Sequence, residues 1–458
     1  MKRHDSIHTL GLALCAGALL AVGLLWPATA MAQNGFNMPY SQFGLGLSQT
    51  PYNLPTVTRM GGVTYTRGGS NYVNPFNPAS YGAVEMESFV FDMGVEVQMS
   101  TLRDNVNSQF DADGNLGYLL VAMPLTRWWK LAGGLMPYST VNYESVVQQN
   151  SATYPGGLVK TVYDGTGGIN EVFLGMAFNV LRGKGQRPDL QLGFNVNYIT
   201  GDIQRNILYT FPGSDSTYYM PSRRYKSTEL HNVTFDLGLQ MRQPLGSRYT
   251  LGLGAGYKPY RDLRVQEEAM VYTYHAGYED QPVDIIFPQE GNEAGFESRM
   301  EQAHTVGVGL SLERNKRWQL AVDATFADWQ GMRYTEGQTP SILGVSALTY
   351  GPYSRYAVGF EKMGNMDAAS YWGRISWSLG VHAEQGVLRL NLGGTEHRVD
   401  EWGGGLGATL PMRKGKSLLT LSVGYSSLGS REVLQRNTLT FGIAVSSCER
   451  WFFKRKYD

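Results

Sequence analysis

The chain has 458 residues, with 39 lysine and arginine residues against 39 aspartate and glutamate residues, 12% aromatic residues and 56 glycines. The balanced charge excludes a protein that attracts nucleic acid through its net field, and the aromatic and apolar content excludes a disordered chain. A helical membrane protein needs runs of about 18 or more apolar residues, and only residues 10–25 approach such a run. The composition therefore favours a glycine-rich, all-β protein.

The N-terminus has the features of a secretory signal peptide. Two basic residues precede the apolar run over residues 10–25, and Ala30-Met31-Ala32 gives the small-x-small pattern that signal peptidase favours. A transmembrane anchor is the alternative, but the run is short for a membrane span. We expect residues 1–32 to be removed on export. The mature chain then keeps a single cysteine, Cys448, so no internal disulfide can form.

Residues 33–86 differ in composition from the rest of the chain. They show no sustained alternation, and they are rich in proline and glycine. Aromatic residues are poor choices for a solvated tail, and if the strands that follow close into a wide barrel, wall side chains alone cannot fill its lumen. We therefore expect a compact N-terminal hatch, or plug, over residues 33–86, with a disordered tail as the alternative. Its aromatic residues are Phe43, Tyr65, Tyr72, Phe76 and Tyr81.

From residue 88 onwards, apolar residues recur with the period of two that predicts half-buried strands. Residues 190–198 show it well, because Leu, Leu, Phe, Val and Tyr alternate there with Gln, Gly, Asn and Asn. The predicted strands are 88–104, 114–126, 129–147, 164–181, 189–209, 223–242, 248–274, 297–313, 318–329, 353–363, 370–385, 400–411, 417–429 and 436–447.

Short polar turns separate these strands in pairs and indicate a barrel that spans the outer membrane. Short turns at one end and longer loops at the other are typical of such barrels, and six turns with two chain ends delimit fourteen strands. We predict an all-β fold, a 14-stranded antiparallel transmembrane β-barrel over residues 87–448, with both termini in the periplasm. A soluble sandwich is the alternative. The turns lie near residues 124–128, 182–188, 243–248, 313–317, 364–367 and 412–416.

Short motifs add a family resemblance. Met60-Gly61-Gly62-Val63 and then Asn77-Pro78-Ala79-Ser80, ahead of fourteen predicted strands, resemble the FadL-type long-chain fatty acid transporters of the outer membrane. The opening residues 40–46 and the closing residues 451–456 resemble the branch found in Bacteroidota. In that family an N-terminal hatch with an Asn-Pro-Ala motif plugs a fourteen-stranded barrel. The resemblance implies plug or ligand-binding roles for Phe76, Asn77, Pro78, Ala79 and Ser80.

The resemblance also implies uptake of a hydrophobic ligand, such as a long-chain fatty acid, with sideways release through a gap in the third strand. Gly133, Gly134 and Pro137 interrupt the predicted third strand, where proline removes a ladder donor and glycine permits a bend. We expect these three residues to form a lateral opening. Alternatively, Pro137 lies above the bilayer, where water solvates a broken ladder.

The predicted interior of the barrel is too polar for an acyl chain, because the inward positions are mainly Thr, Ser, Asn, Gln and Gly. A ligand pocket would then lie at the hatch interface or beneath long outer segments. Apolar residues at 329–350 would either cover a ligand or bind a partner. The long segments are 143–166, 208–224, 275–296 and 330–352.

A second class of function competes with transport. Bacteroidota barrels that resemble this family also serve as non-transporting subunits of larger outer-membrane machines for protein secretion or barrel assembly. The basic-aromatic tail at residues 449–458 would then dock a protein partner at the periplasmic face; its alternative is an interfacial anchor.

The sequence gives little support to an enzyme. His304 lies near Glu301, but no motif singles out a nucleophile to join them. The seven histidines are scattered without metal-ligand spacing. We expect no catalytic residues, no metal, no cofactor and no nucleic-acid partner; the expected partners are membrane lipid, a hydrophobic ligand and other outer-membrane proteins.

Overall fold

Fourteen antiparallel strands close into a barrel in the part of the chain that the computed structural model describes, as the alternation predicts. The structure describes residues 37–48, 54–150, 157–183, 186–212, 219–275, 277–278, 281–286, 296–332, 347–412 and 417–450. The strands are β1 (Ser88–Arg103), β2 (Ser108–Pro124), β3 (Trp129–Asn150), β4 (Leu158–Leu181), β5 (Asp189–Thr210), β6 (Ser222–Leu245), β7 (Tyr249–Lys258 and Arg261–Tyr274), β8 (Phe296–Gln302 and Thr305–Arg314), β9 (Trp318–Asp328), β10 (Pro352–Lys362), β11 (Ser376–Gln385), β12 (Glu401–Met412), β13 (Ser417–Ser430) and β14 (Leu434–Arg450).

The first and last strands close the barrel. β1 pairs with β14 from Ser88 opposite Arg450 to Arg103 opposite Gln435. β1 therefore begins, and β14 ends, at the same end of the barrel, which also carries the short turns. We call this end the turn end and the opposite end the loop end. The residues predicted as a tail from 449 start inside β14, and residues 451–458 lie outside the described residues, as do residues 1–36.

The two faces of the wall have opposite chemistry. In β6, Val233, Phe235 and Leu237 are each about half exposed on the outside, while Thr234 and Asp236 are buried inside. Because the same alternation recurs around the barrel, an apolar outer band surrounds a polar interior. Within the described residues, no helix is long and apolar enough to cross a membrane.

Aromatic side chains gather at the turn end of the apolar band. Trp128, Trp129 and Phe178 stack there, with ring centroids 6.0 to 6.3 Å apart, and Tyr249 meets Trp318 edge to face. Amphipathic rings favour the level where headgroups meet hydrocarbon, so these residues fit an interfacial girdle.

The residues before β1 lie against the inner surface of the wall. We call residues 37–48 the strap and residues 54–86 the hatch. The strap contains a short helix, Pro39–Gln42, and a two-residue strand, Leu47–Ser48; the hatch contains the short helices Pro55–Thr58 and Pro78–Ala83. Most of their residues are buried, including the aromatic Tyr40 and Tyr81.

A small sheet caps the barrel at the loop end. It consists of Ala347–Tyr350, Leu388–Leu392 and Thr395–Arg398. Leu390 and other apolar residues of this cap pack against Tyr40 and Phe43 of the strap. Residues 347–350 of the long segment 330–352 are therefore part of the cap, whereas residues 333–346 lie outside the described residues.

Candidate functional site

Asn77 shapes the hatch and ties it to the wall. It precedes the helix Pro78–Ala83, and its Oδ1 accepts a hydrogen bond from the backbone N–H of Ala79 at 3.1 Å, as a helix cap does. Its Nδ2 donates to the carbonyl oxygens of Tyr65, at 2.7 Å, and of Leu239 in β6, at 3.1 Å. One side chain thus joins two hatch turns to the barrel.

The three residues after Asn77 continue this docking. Pro78 and Ala79 lie directly against Gly193 of β5, where a side chain on Gly193 would overlap the hatch backbone. The Ser80 hydroxyl donates to the Asn74 carbonyl at 2.9 Å. These motif residues therefore make contacts with the wall and within the hatch.

A buried ion network fixes the hatch to β10. Glu361 accepts hydrogen bonds from Arg59 Nη1 at 2.7 Å and from Arg67 Nη1 at 3.1 Å, one on each carboxylate oxygen. The three side chains are at most 10% exposed. A buried carboxylate without such partners would carry a large desolvation cost, so the network makes the hatch position depend on the wall.

Asp323 of β9 provides a second anchor. Its Oδ2 accepts hydrogen bonds from the backbone N–H groups of Thr64, at 2.5 Å, and Tyr65, at 2.9 Å. The Gln240 side chain of β6 donates to the Tyr65 carbonyl at 2.8 Å, and Arg355 of β10 donates to the Gly62 carbonyl. These bonds satisfy hatch backbone groups that no regular helix or strand satisfies.

A cavity of about 390 Å³ lies between the strap, the hatch and the wall, on the loop-end side of the hatch. This volume falls within the usual range for small-ligand sites. Phe76 lines the cavity, whereas Asn77, Pro78, Ala79 and Ser80 are outside its lining. Its apolar lining includes Phe43, Leu45, Tyr65, Tyr138, Trp329 and Leu388.

The cavity also has charged walls; four cations line it, and three of them have the following protein partners. Arg261 Nη2 lies 2.5 Å from Asp236 Oδ1, and Lys258 Nζ lies 3.9 Å from Asp236 Oδ2. Arg355 donates a hydrogen bond to the hatch carbonyl of Gly62. Because these three cations already face an acid or a carbonyl oxygen, the cavity is better suited to an uncharged apolar group than to a free anion.

The wall has a seam where β2 and β3 part. Their ladder runs from Pro124 opposite Lys130 to Leu119 opposite Leu135, and it stops there. On the loop-end side of this point both strands carry an irregularity, because Gly117 has no opposite residue in β1 and Tyr138 has none in β4. Such bulges twist a strand and commonly end its pairing.

The three residues expected to form a lateral opening lie on both sides of the point where the ladder ends. Gly133 and Gly134 belong to the β2–β3 ladder, opposite Val121 and Leu120, and they are also paired with β4. Pro137 lies beyond it, next to the Tyr138 bulge. The seam therefore begins on the loop-end side of the two glycines. Their part in an opening stays a prediction.

The strap occupies the seam. Leu47 and Ser48 pair with Thr140 and Ser139 of β3, on the edge that β2 leaves. Further along, the Met38 N–H donates to the Asn142 carbonyl at 2.7 Å. The strap thus stands between the cavity and the seam.

Wall groups hold the strap on the lumen side. The Tyr40 hydroxyl donates to the Leu434 carbonyl at 2.6 Å, Arg205 Nη2 donates to the Gly44 carbonyl at 2.5 Å, and the Ser139 hydroxyl donates to the Leu45 carbonyl at 2.6 Å. Burial raises the pKa of Tyr40 above its ordinary value. Its hydroxyl therefore stays a neutral donor over the whole physiological pH range.

Comparison with known proteins decides the family. The BamG family model matches residues 17–458. The chain belongs to the BamG family. No curated protein matches it. Among solved structures, the P. putida toluene transporter TodX matches with 13% identity and a TM-score of 0.51, covering 86% of this chain and 100% of its own; a Pseudomonas aeruginosa FadL homologue matches with 12% identity and a TM-score of 0.50, covering 86% and 98%.

These likenesses show the fold alone. This BamG family member has the FadL-type fourteen-stranded barrel of an outer-membrane protein, which confirms that part of the resemblance seen in the sequence. TodX is described as a toluene transporter. His304 has a role in the wall, because its Nδ1 is 2.8 Å from the Tyr257 hydroxyl and accepts the Tyr260 N–H at 3.0 Å.

Sequence reasoning missed the strap residues and the exact place of the seam. Residues 40–46 stood out only as a family-like opening, and Leu47–Ser48 is too short a segment to give an alternating pattern. One signal was available in the sequence, namely the two closely spaced glycines Gly44 and Gly46. In the structure both adopt positive φ and form a tight turn.

Proposed function

We propose that this BamG family member is a non-conducting accessory subunit of the outer-membrane barrel-assembly machinery. The family name itself points to the Bam machinery. Such a role requires an outer-membrane surface for partners and does not require a pore. The turn end, with the short turns and both barrel termini, would face the periplasm, as in other outer-membrane barrels.

The observation that carries this proposal is the fixed hatch. Glu361, Asp323 and Gln240 hold it through buried polar contacts on three strands, and glycines around the wall leave room for its backbone at van der Waals contact. Moving such a plug would leave buried charges and backbone groups without partners. A pathway for solutes through the lumen is therefore costly to open.

The test is native mass spectrometry of the protein extracted from its own outer membrane in mild detergent. We expect stoichiometric association with barrel-assembly proteins and no ion conductance when the purified chain is placed in a planar bilayer. A lone barrel that retains an acyl ligand would contradict the proposal and support transport instead.

Uptake of a hydrophobic ligand is the second candidate. The cavity of about 390 Å³ and the seam favour it, because together they provide an apolar chamber beside a wall interruption. A hydrophobic ligand such as a long-chain fatty acid would enter at the loop end, place its apolar tail against Phe76 and leave sideways past Pro137. TodX, a toluene transporter by its description, shares the fold.

Replacing Pro137 with valine separates the two candidates. Valine restores a backbone N–H at the ladder edge, so β2 and β3 can pair further towards the loop end and narrow the seam. If the seam releases a ligand, uptake of a radiolabelled long-chain fatty acid should fall several-fold at equal expression. An accessory subunit should show the same low uptake before and after the change. Pro352→Val, at the start of β10 in the opposite wall, is the control.

A further inference from the structure

Two backbone edges face each other across the seam. β2 uses its other edge to pair with β1, and β3 uses its other edge to pair with β4. Leu116 of β2, beside the seam, is 48% exposed on the outside of the wall, so the seam enters the apolar band. Unsatisfied N–H and C=O groups are expensive at that level of a membrane, and a strand edge there favours a pairing partner.

Asn37 of the strap lies between the two strands of the seam. The Asn37 backbone N–H donates to Asp111 Oδ2 of β2 at 3.0 Å. Its side-chain Nδ2 donates to the Glu144 carbonyl of β3 at 2.8 Å, and its Oδ1 accepts the Glu144 N–H at 3.2 Å. A single residue of the strap therefore joins a β2 side chain to the β3 backbone.

The strap fills the seam only in part. It forms ladder pairs with β3 at Ser139 and Thr140, and residues 39–46 between its two points of contact turn into the lumen. A cleft of about 800 Å³ remains at the loop end of the seam. Gln109 of β2 and Val146 of β3 are among the residues that line it.

We infer that the seam is a strand-acceptor site, occupied by the strap of the same chain and able to take an extended segment of another polypeptide. The segment would alternate apolar side chains outwards, beside the exposed Phe110, Leu116 and Val146, with polar side chains inwards, beside Asp111. Main-chain hydrogen bonds supply the affinity in such strand addition. This site goes beyond membership of an assembly machine and does not depend on it.

Gly46 provides a way to release the strap without altering the wall. A Cβ on Gly46 would lie 2.6 Å from the Thr140 carbonyl oxygen and 2.6 Å from Val141 Cγ2, so Gly46→Val should push the strap off β3. Gly394→Val is the matched control, since Gly394 has the same φ of +89° and nothing within 4 Å. The two substitutions place valine at the same positive φ, and only the first meets the contact of the strap with β3.

The probe is a fluorescent synthetic peptide with the sequence of residues 37–48, added to the full-length protein in detergent. We expect saturable binding to the Gly46→Val variant with a Kd at least about tenfold lower than to the wild type, a difference that corresponds to about 1.4 kcal/mol. The Gly394→Val variant should behave like the wild type. A scrambled peptide of the same composition should not bind to any of them.

A disulfide between the strap and β3 provides the complementary experiment, in which the strap cannot leave the seam. Leu47 and Thr140 are opposite residues of an antiparallel pair, a spacing that a disulfide can bridge. The test chain carries Gly46→Val together with Leu47→Cys and Thr140→Cys in a Cys448→Ser background. When the disulfide is formed, it should hold the strap on β3 and abolish peptide binding. When the disulfide is reduced, the strap is released and peptide binding should return.

A variant that lacks residues 37–48 keeps the inference open to disproof if Gly46→Val does not fold. Folding is checked by the heat-dependent mobility of the barrel on gels. If either folded variant binds the peptide no better than the Gly394→Val control, the seam is not a strand acceptor and the inference is wrong. This result would leave the proposed accessory function untouched, because that function is tested by native partners.

Discussion

Replacing Glu361 with alanine should loosen the hatch and destabilise the whole protein. The change leaves Arg59 and Arg67 buried against the wall without their carboxylate partner. Breaking a buried ion pair by removing one member costs about 3–5 kcal/mol, and two guanidinium groups lose a partner here. We expect a loss of that size in the free energy of unfolding. It is measured by urea titration of the barrel in lipid vesicles, followed by tryptophan fluorescence.

Asp262→Ala is the matched control for this result. Asp262 Oδ2 lies 2.7 Å from Arg299 Nη1, the same separation as in the Arg59 pair, but both side chains are substantially exposed. Exposed pairs contribute at most about 1 kcal/mol. If Glu361→Ala costs no more than Asp262→Ala, the ion network does not hold the hatch, and the structural basis for a fixed plug fails.

Replacing Gly380 with valine should turn a silent barrel into a conducting one. A side chain at Gly380 of β11 would overlap the hatch backbone at Met60 and Gly61, which cannot swing aside as a flexible side chain can. Overpacking a closely packed site costs about 1–3 kcal/mol, and the hatch can avoid this cost only by leaving the wall. A fourteen-stranded lumen without its plug is wide enough to pass ions. We expect stepwise conductance in planar bilayers.

Gly114→Val is the control for the conductance experiment. Gly114 lies on the exposed side of β2, where a Cβ would meet its nearest heavy atoms at ordinary distances of 3.7 and 3.9 Å. This variant should stay silent in the bilayer. Silence in a folded Gly380→Val barrel would mean that the lumen is closed by something other than the hatch.

Most of the wall could be predicted from sequence because each strand carries its own signal. Period-two alternation is local, and a membrane barrel requires it in every strand. Boundaries were wrong where that signal is missing. β2 starts at Ser108 rather than 114, because residues 108–115 are mostly polar and carry too few apolar residues to show the alternation. β11 starts at Ser376 rather than 370, because Tyr371–Arg374 forms a short helix.

A proline explains the largest difference in the wall. The seventh strand was predicted as continuous over 248–274, but it is interrupted at Pro259 and Tyr260, where proline cannot donate to a ladder. The eighth strand is interrupted opposite this point, at Ala303 and His304. The alternation is itself lost at the break, since Pro259 and Tyr260 are followed by Arg261 and Asp262.

The candidate site was harder to predict because it depends on contacts between distant parts of the chain. Asn77 was identified through a family motif, and its hydrogen bond to Leu239 crosses 162 residues. Glu361 and Gly380 carried no signal, since one charged residue and one glycine in a wall strand look like many others. Pro137 pointed to the right strand, but the end of the ladder is set by bulges in two strands together.

The pairing of β1 with β14 has a consequence for how the chain is made. The strand nearest the hatch must wait for the last strand, and the Tyr40 hydroxyl must wait for the Leu434 carbonyl, 394 residues away. Contacts of such long range form late and slowly. A newly exported chain therefore remains open until its C-terminus arrives, and an incomplete copy exposes its unfinished edge to the cell's proteases.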